Sequence, residues 1–141
     1  MKVLRIDHLG IAVPGLAEAV RAWEALGFEV EQVHDVPTEK VRAAFLKVGE
    51  SNIELLEPTE ADSVIARFLQ KRAGLHHVCV EVDDLDAALS EMRARGVRLI
   101  DESPRVGAGG CRVAFVHPGA ASGVLLELKE APGTGKEEGE E

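Results

Sequence analysis

The chain is short of cysteine, of positive charge and of long apolar runs, and each shortage excludes a class of protein. No stretch of its 141 residues approaches the roughly 18 consecutive apolar positions that a membrane-spanning helix needs. The N-terminal Met1-Lys2-Val3-Leu4-Arg5-Ile6-Asp7 meets charge too early for the apolar core of a secretory signal. The expectation is a cytoplasmic protein without membrane contact. Cys79 and Cys111 are the only two cysteines and lack CxxC spacing, so they read as reduced thiols rather than a disulfide framework. Lysine and arginine number 16 against 25 acids, a formal net charge of −9, which argues against nucleic acid or anionic lipid as a partner. An anionic substrate would have to be met by local cations; Lys40, Arg42, Lys71, Arg72 and Arg105 are the candidates.

What is present is an ordinary globular composition, 45% hydrophobic and 29% charged, in a length that suits one domain. Residues 1–130 are read as that domain. Residues 131–141, rich in Gly and Glu without apolar periodicity, are read as a disordered acidic tail.

The chain repeats itself. At an offset of 69, Ile6-Asp7-His8-Leu9-Gly10-Ile11-Ala12-Val13 lies over Leu75-His76-His77-Val78-Cys79-Val80-Glu81-Val82, and the register runs on without a gap to Gly27 over Gly96. Each copy opens with alternating apolar residues, Leu9, Ile11, Val13 and Val78, Val80, Val82, the pattern of a half-buried strand. A helix follows, with Leu16, Val20, Trp23 or Leu85, Leu89, Met92 at helical spacing on a core-facing stripe, closed by a glycine. Three strand-like runs come next, about 28–34, 41–48 and 52–57 in the first copy and about 96–100, 111–117 and 123–129 in the second. The prediction is an α+β fold of two βαβββ modules, about 4–58 and about 74–130, whose sheets pair into a cupped, barrel-like mixed sheet with helices outside. A connector helix over 63–72, within about 59–73 and capped by Thr59 or Asp62, joins them.

His8 and His77 are partners under the duplication. Ile53-Glu54-Leu55 and Leu126-Glu127-Leu128 match at an offset of 73, and in both the flanking apolar residues turn the glutamate to the other face. His77 rather than His76 falls over His8; His76 is placed toward the core, and His34 and His117 are read as structural. A lone strand histidine is usually a hydrogen-bonded polar group. Two imidazoles and two carboxylates duplicated on inner faces instead suit a mixed nitrogen and oxygen site for a divalent ion, Co²⁺, Mn²⁺, Fe²⁺, Ni²⁺ or Zn²⁺, with room for substrate.

Six segments together carry a resemblance: Asp7-His8-Leu9-Gly10-Ile11-Ala12-Val13, Ile53-Glu54-Leu55-Leu56-Glu57-Pro58, Gly74 to Asp84, the Pro104 to Gly110 loop, Phe115-Val116-His117-Pro118 and Gly123 to Leu128. From about residue 4 to 130 the chain is similar to the methylmalonyl-CoA epimerases of the vicinal oxygen chelate superfamily, which includes glyoxalases, bleomycin resistance proteins and dioxygenases. The resemblance implies metal ligands His8, His77 and Glu127, with Glu54 at a fourth position, and Co²⁺ foremost among the metals. It implies an acyl-CoA substrate whose 2R and 2S forms are interconverted through a metal-stabilised enolate. Independently of the resemblance, the small size of the chain leads to the expectation of a homodimer. Glu127 is the first acid–base group. Some epimerases carry a second base on the third strand, where Val41-Arg42-Ala43-Ala44-Phe45 offers no carboxylate; Glu54 is the substitute, with Glu39 behind it. Alternatives are glyoxalase I (lactoylglutathione lyase), an extradiol dioxygenase, and a small-ligand-binding protein of the same fold without chemistry.

Overall fold

The computed structural model describes residues 1–133. Its elements are β1 (Val3–Ala12), α1 (Leu16–Ala25), β2 (Val30–Val36), β3 (Val41–Val48), β4 (Ser51–Pro58), α2 (Val64–Leu69), β5 (Gly74–Val82), α3 (Leu85–Ala94), β6 (Arg105–Val106), β7 (Arg112–Val116) and β8 (Leu125–Glu130). Two βαβββ runs separated by a connector helix are thus the observed α+β order. The disorder predicted for the tail falls mostly on residues 134–141, outside the described residues; before them, the Ala131 amide donates to the Val82 carbonyl at 2.9 Å. No helix among the described residues is long and apolar enough to cross a membrane.

The helix ends follow local chemistry. Gly27 and Gly96 have φ of +103° and +80° just past α1 and α3, a left-handed conformation that glycine adopts without strain. The connector helix is shorter than predicted. Ser63 caps it, accepting from the Ala66 amide at 2.9 Å, in place of Thr59 or Asp62. In the second run the predicted strand over 96–100 shrinks to one bridge, Leu99 to Val116, and β6 lies further on. The Asp101 carboxylate accepts from the Phe115 amide at 2.8 Å, and Pro104 has no amide proton to donate, so the ladder is interrupted between 101 and 105.

The chain divides into two compact units that do not follow the module limits. One is His8–His77; the other combines Met1–Asp7 with the residues from Val78 onward. In the His8–His77 unit the strand order is β2-β3-β4-β1 followed by the first residues of β5, with β1 and β4 parallel and β2·β3 and β3·β4 antiparallel. In the other unit the start of β1 precedes β5-β8-β7-β6, with β6·β7 and β7·β8 antiparallel. Neither run closes on itself, so the pairing is open at β2 and at β6 rather than a barrel.

In the His8–His77 unit α1 covers one sheet face, burying Leu16 with Val13, Ala44, Leu46 and Leu55 and backing them with Trp23 and Phe28. Fully burying a leucine such as Leu46 or Leu55 is worth roughly 1.5–3 kcal/mol. The opposite face is not bare, contrary to the expectation that helices lie only outside. The α2 residues Ile65, Phe68 and Leu69 pack there on Ala12, Val41, Ala43 and Leu56. The physical reason is apolar: that end of the face presents alanine, valine and leucine, which would otherwise stay in water.

The other unit buries Val82, Leu85, Ala88, Leu89, Ala114, Val116 and Leu128 under α3, with Met92 against them. Glu130 pins this core. Buried itself, it accepts from the Leu85 amide at 3.0 Å at the first turn of α3 and from Arg112 at 3.0 Å, while Arg112 also reaches Asp86 at 2.9 Å. These pairs hold the Arg112 pKa above its ordinary value, Asp86 contributing most. Asp84, Asp86 and Glu130 stand close together, but with Arg112 among them the cluster is a structural clamp.

Candidate metal centre

In the His8–His77 unit, His8 on β1 shares a sheet face with Gly10 and Ala12, because alternate side chains of a strand point the same way. The parallel register sets Gly10 opposite Glu54 and His8 opposite Asn52, so Glu54 joins that face. The antiparallel register then sets Phe45 opposite Glu54. His77 reaches the same face over Gly10: a Cβ added at Gly10 would fall 2.5 Å from its Nδ1 and 2.8 Å from its Nε2. Glycine at position 10 is what admits the imidazole.

The two imidazoles meet through Nε2, at 3.0 Å, with ring planes 89° apart. Two nitrogens each about 2.1 Å from one ion and at right angles around it are about 3.0 Å apart, so the pair has the spacing of adjacent ligands. The outer nitrogens are engaged as well. Glu54 Oε2 lies 3.4 Å from His8 Nδ1, and His76 Nδ1 lies 2.9 Å from His77 Nδ1. Both rings therefore turn Nε2 inward. Beside them Asn52 Oδ1 is buried without a hydrogen-bond partner among the described residues, an acceptor left over next to His8. Such an atom costs about 1–3 kcal/mol and is found where a water or ligand is held. The donor set fits a divalent cation.

Three of the four predicted ligands thus lie within one unit: His8 and His77 meet through Nε2, and Glu54 stands at the outer nitrogen of His8. Glu127 belongs to the other, on β8. There Leu126 and Leu128 pack toward α3 and Glu127 takes the opposite face, paired with Phe115. The arrangement repeats: Phe45 faces Glu54 across β3·β4 as Phe115 faces Glu127 across β7·β8.

His76 departs from its predicted place. Its ring packs edge-on against Phe68 of α2 at 4.9 Å and beside His77, away from the α1-covered core. The adjacent His-His pair was the available signal, but strand alternation alone assigns its first member to the opposite face. His34 packs on Phe45 at 4.8 Å, and His117 Nδ1 accepts from the Gly119 amide at 2.8 Å. Of the candidate cations, Lys40 pairs with Asp62 at 2.6 Å and Arg42 with Asp35 at 2.8 Å. Those partners raise both pKa values, Asp62 and Asp35 being the main causes. Arg72 lies over Phe68, and Arg105 lies over Phe115 while bonded to Asp101.

Comparison with known proteins extends the picture. A family model described as the Glyoxalase/Bleomycin resistance protein/Dioxygenase superfamily matches residues 7–115. A Homo sapiens protein named mitochondrial methylmalonyl-CoA epimerase is 39% identical over 130 residues, covering 90% of this chain and 74% of that one. A Cereibacter sphaeroides ethylmalonyl-CoA/methylmalonyl-CoA epimerase is 39% identical, over 89% of this chain and 97% of its own. A solved methylmalonyl-CoA epimerase in complex with methylmalonyl-CoA and NH4+ superposes with a TM-score of 0.83 at 38% identity, covering 94% of this chain and 98% of that one.

Proposed function

The chain belongs to the Glyoxalase/Bleomycin resistance protein/Dioxygenase superfamily, and from that membership we propose that it is an isomerase interconverting the 2R and 2S forms of methylmalonyl-CoA. The observation that carries the reading is the imidazole pair meeting at 3.0 Å with a carboxylate beside it, in a chain similar to epimerases along nine-tenths of its length. His8, His77 and Glu127 hold one divalent ion, with Glu54 at the fourth position. Co²⁺ is the first choice, ahead of Mn²⁺, Ni²⁺, Zn²⁺ and Fe²⁺, since imidazole and carboxylate together suit borderline ions. When bound, the ion supplies Lewis-acid stabilisation where enolate charge develops, typically several kcal/mol.

The chain's own part is proton transfer. Epimerisation removes the proton on the carbon between thioester and carboxylate and returns one to the opposite face, so two groups are needed on two sides. Glu127 and Glu54 come from corresponding strands of the two modules, which suits them to opposite faces. Phe45 and Phe115 are their cross-strand partners, one on each module. The protein is further read as a cytoplasmic homodimer of one domain per chain, closed two-fold pairs being the commonest soluble oligomers; sedimentation at micromolar concentration tests the dimer.

The deciding experiment follows C2 proton exchange with D₂O and epimerisation of methylmalonyl-CoA by protein stripped of metal and then supplied with Co²⁺. Both activities should vanish on stripping and return with the ion. No exchange with any of the five metals sinks the epimerase reading, and lactoylglutathione formation in a parallel assay moves the chain to glyoxalase I.

A further inference from the structure

The outer nitrogen of each imidazole is served differently, and the difference gives a role to a residue that the duplication leaves out. A histidine that binds a cation through Nε2 must carry its proton on Nδ1, and that N–H needs an acceptor. For His8 the neighbour on that side is the Glu54 carboxylate at 3.4 Å. For His77 it is the Nδ1 of His76 at 2.9 Å, within hydrogen-bond range. We infer that His76 is a positioning residue: its Nδ1 accepts the His77 Nδ1 proton, fixing the tautomer and ring orientation that turn His77 Nε2 toward His8.

The acceptor is itself held in place. The His76 ring stands at 87° to Phe68 with centroids 4.9 Å apart, an edge-on aromatic contact, and the Arg72 guanidinium lies 4.8 Å from the Phe68 centroid on the same ring. Phe68 belongs to α2, whose Ile65 is buried on the face that bears His8 and Glu54. The connector helix, which has no counterpart in the second module, thereby reaches the candidate metal centre through Phe68 and His76. His77 is confined on its other side by Gly10. With Nδ1 of His76 accepting, the proton of His76 sits on its Nε2.

The inference rests on the metal-site reading above, and its test separates the two. Full-length protein is stripped and titrated with Co²⁺ alone, affinity being read by competition with a chromophoric chelator. His76→Phe keeps a ring against Phe68 but has no acceptor, and should bind Co²⁺ about 10–100-fold more weakly, the usual effect of losing such a partner. His76→Asn, whose Oδ1 sits near the position of the lost Nδ1, should recover most of that loss. Wild-type affinity in His76→Phe, or no recovery in His76→Asn, overturns the inference. No Co²⁺ binding by the wild type means that the metal site itself is wrong. Should His76→Phe fold poorly, long-range ¹H–¹⁵N spectra of the metal-free wild type decide: His77 protonated on Nδ1 supports the role, and His77 protonated on Nε2 alone overturns it.

Discussion

Gly10 lies directly beneath the ring of His77, so closely that the first carbon of any side chain there would fall inside the imidazole. Gly10→Ala should therefore displace His77 and leave His8 without its partner at 3.0 Å. The expected result is at least about tenfold weaker Co²⁺ binding, the scale on which misplaced ligand geometry acts. Calorimetric titration of Gly10→Ala beside the wild type measures it; equal affinities would mean that His77 can leave Gly10 and still bind.

Glu54 and Glu127 are separable by isotope. If each serves one face of the substrate carbon, Glu54→Gln should slow epimerisation by about 10²-fold or more, the typical contribution of a positioned acid–base group. It should still allow Glu127 to exchange the C2 proton of one stereoisomer with D₂O. Full epimerisation and full exchange of both stereoisomers by Glu54→Gln would remove Glu54 from proton transfer and turn attention to Glu39.

Much of this was legible in the sequence because duplication and strand alternation are both counted in residues. The offset from His8 to His77 and the Ile-Glu-Leu and Leu-Glu-Leu triplets single out the candidate ligands and assign their strand faces without any coordinates. What was not legible depends on distance rather than period. The face of β1, β3 and β4 that bears Glu54 is covered at one end by α2, because Ala12, Ala43 and Leu56 form an apolar floor that only the register assembles. His76 leaves its alternation-assigned face near the start of β5, where its ring packs edge-on against Phe68, a contact that no sequence period encodes. The strand over 96–100 failed for a local reason, the capture of the Phe115 amide by the Asp101 side chain.

Glu130 gives a prediction of stability alone. It is buried and serves two donors, the Leu85 amide and Arg112, so Glu130→Ala leaves both short of an acceptor. Hydrogen bonds to a charged group contribute about 1.5–3 kcal/mol, and Arg112 keeps Asp86, so the loss should be about 2–3 kcal/mol by urea unfolding. Glu130→Gln, which keeps an acceptor oxygen, should lose less. Equal losses would show that charge, not hydrogen bonding, matters here.

Lys129 predicts the alkaline limb of stability. Its ammonium pays a burial penalty that works against charge, yet Asp7 at 3.2 Å, with smaller contributions from Cys111 and Cys79, more than offsets it, and the pKa stands above the ordinary 10.5. A group whose pKa is raised by folding stabilises fully below its unfolded value, and that contribution is lost as pH rises through the folded value. Wild-type stability should thus be level with respect to Lys129 at neutral pH and fall above about pH 10.5, whereas Lys129→Met should fall less steeply there. At neutral pH the variant should cost only about 1 kcal/mol, because Lys129 is partly exposed and Arg5 still holds Asp7 at 3.1 Å. The chain has no tyrosine, so apart from Cys79, Cys111 and the other lysines little else titrates in that range. Urea unfolding at pH 8 and pH 11 measures both slopes; parallel slopes for wild type and variant would show that Lys129 gains nothing from Asp7 on folding.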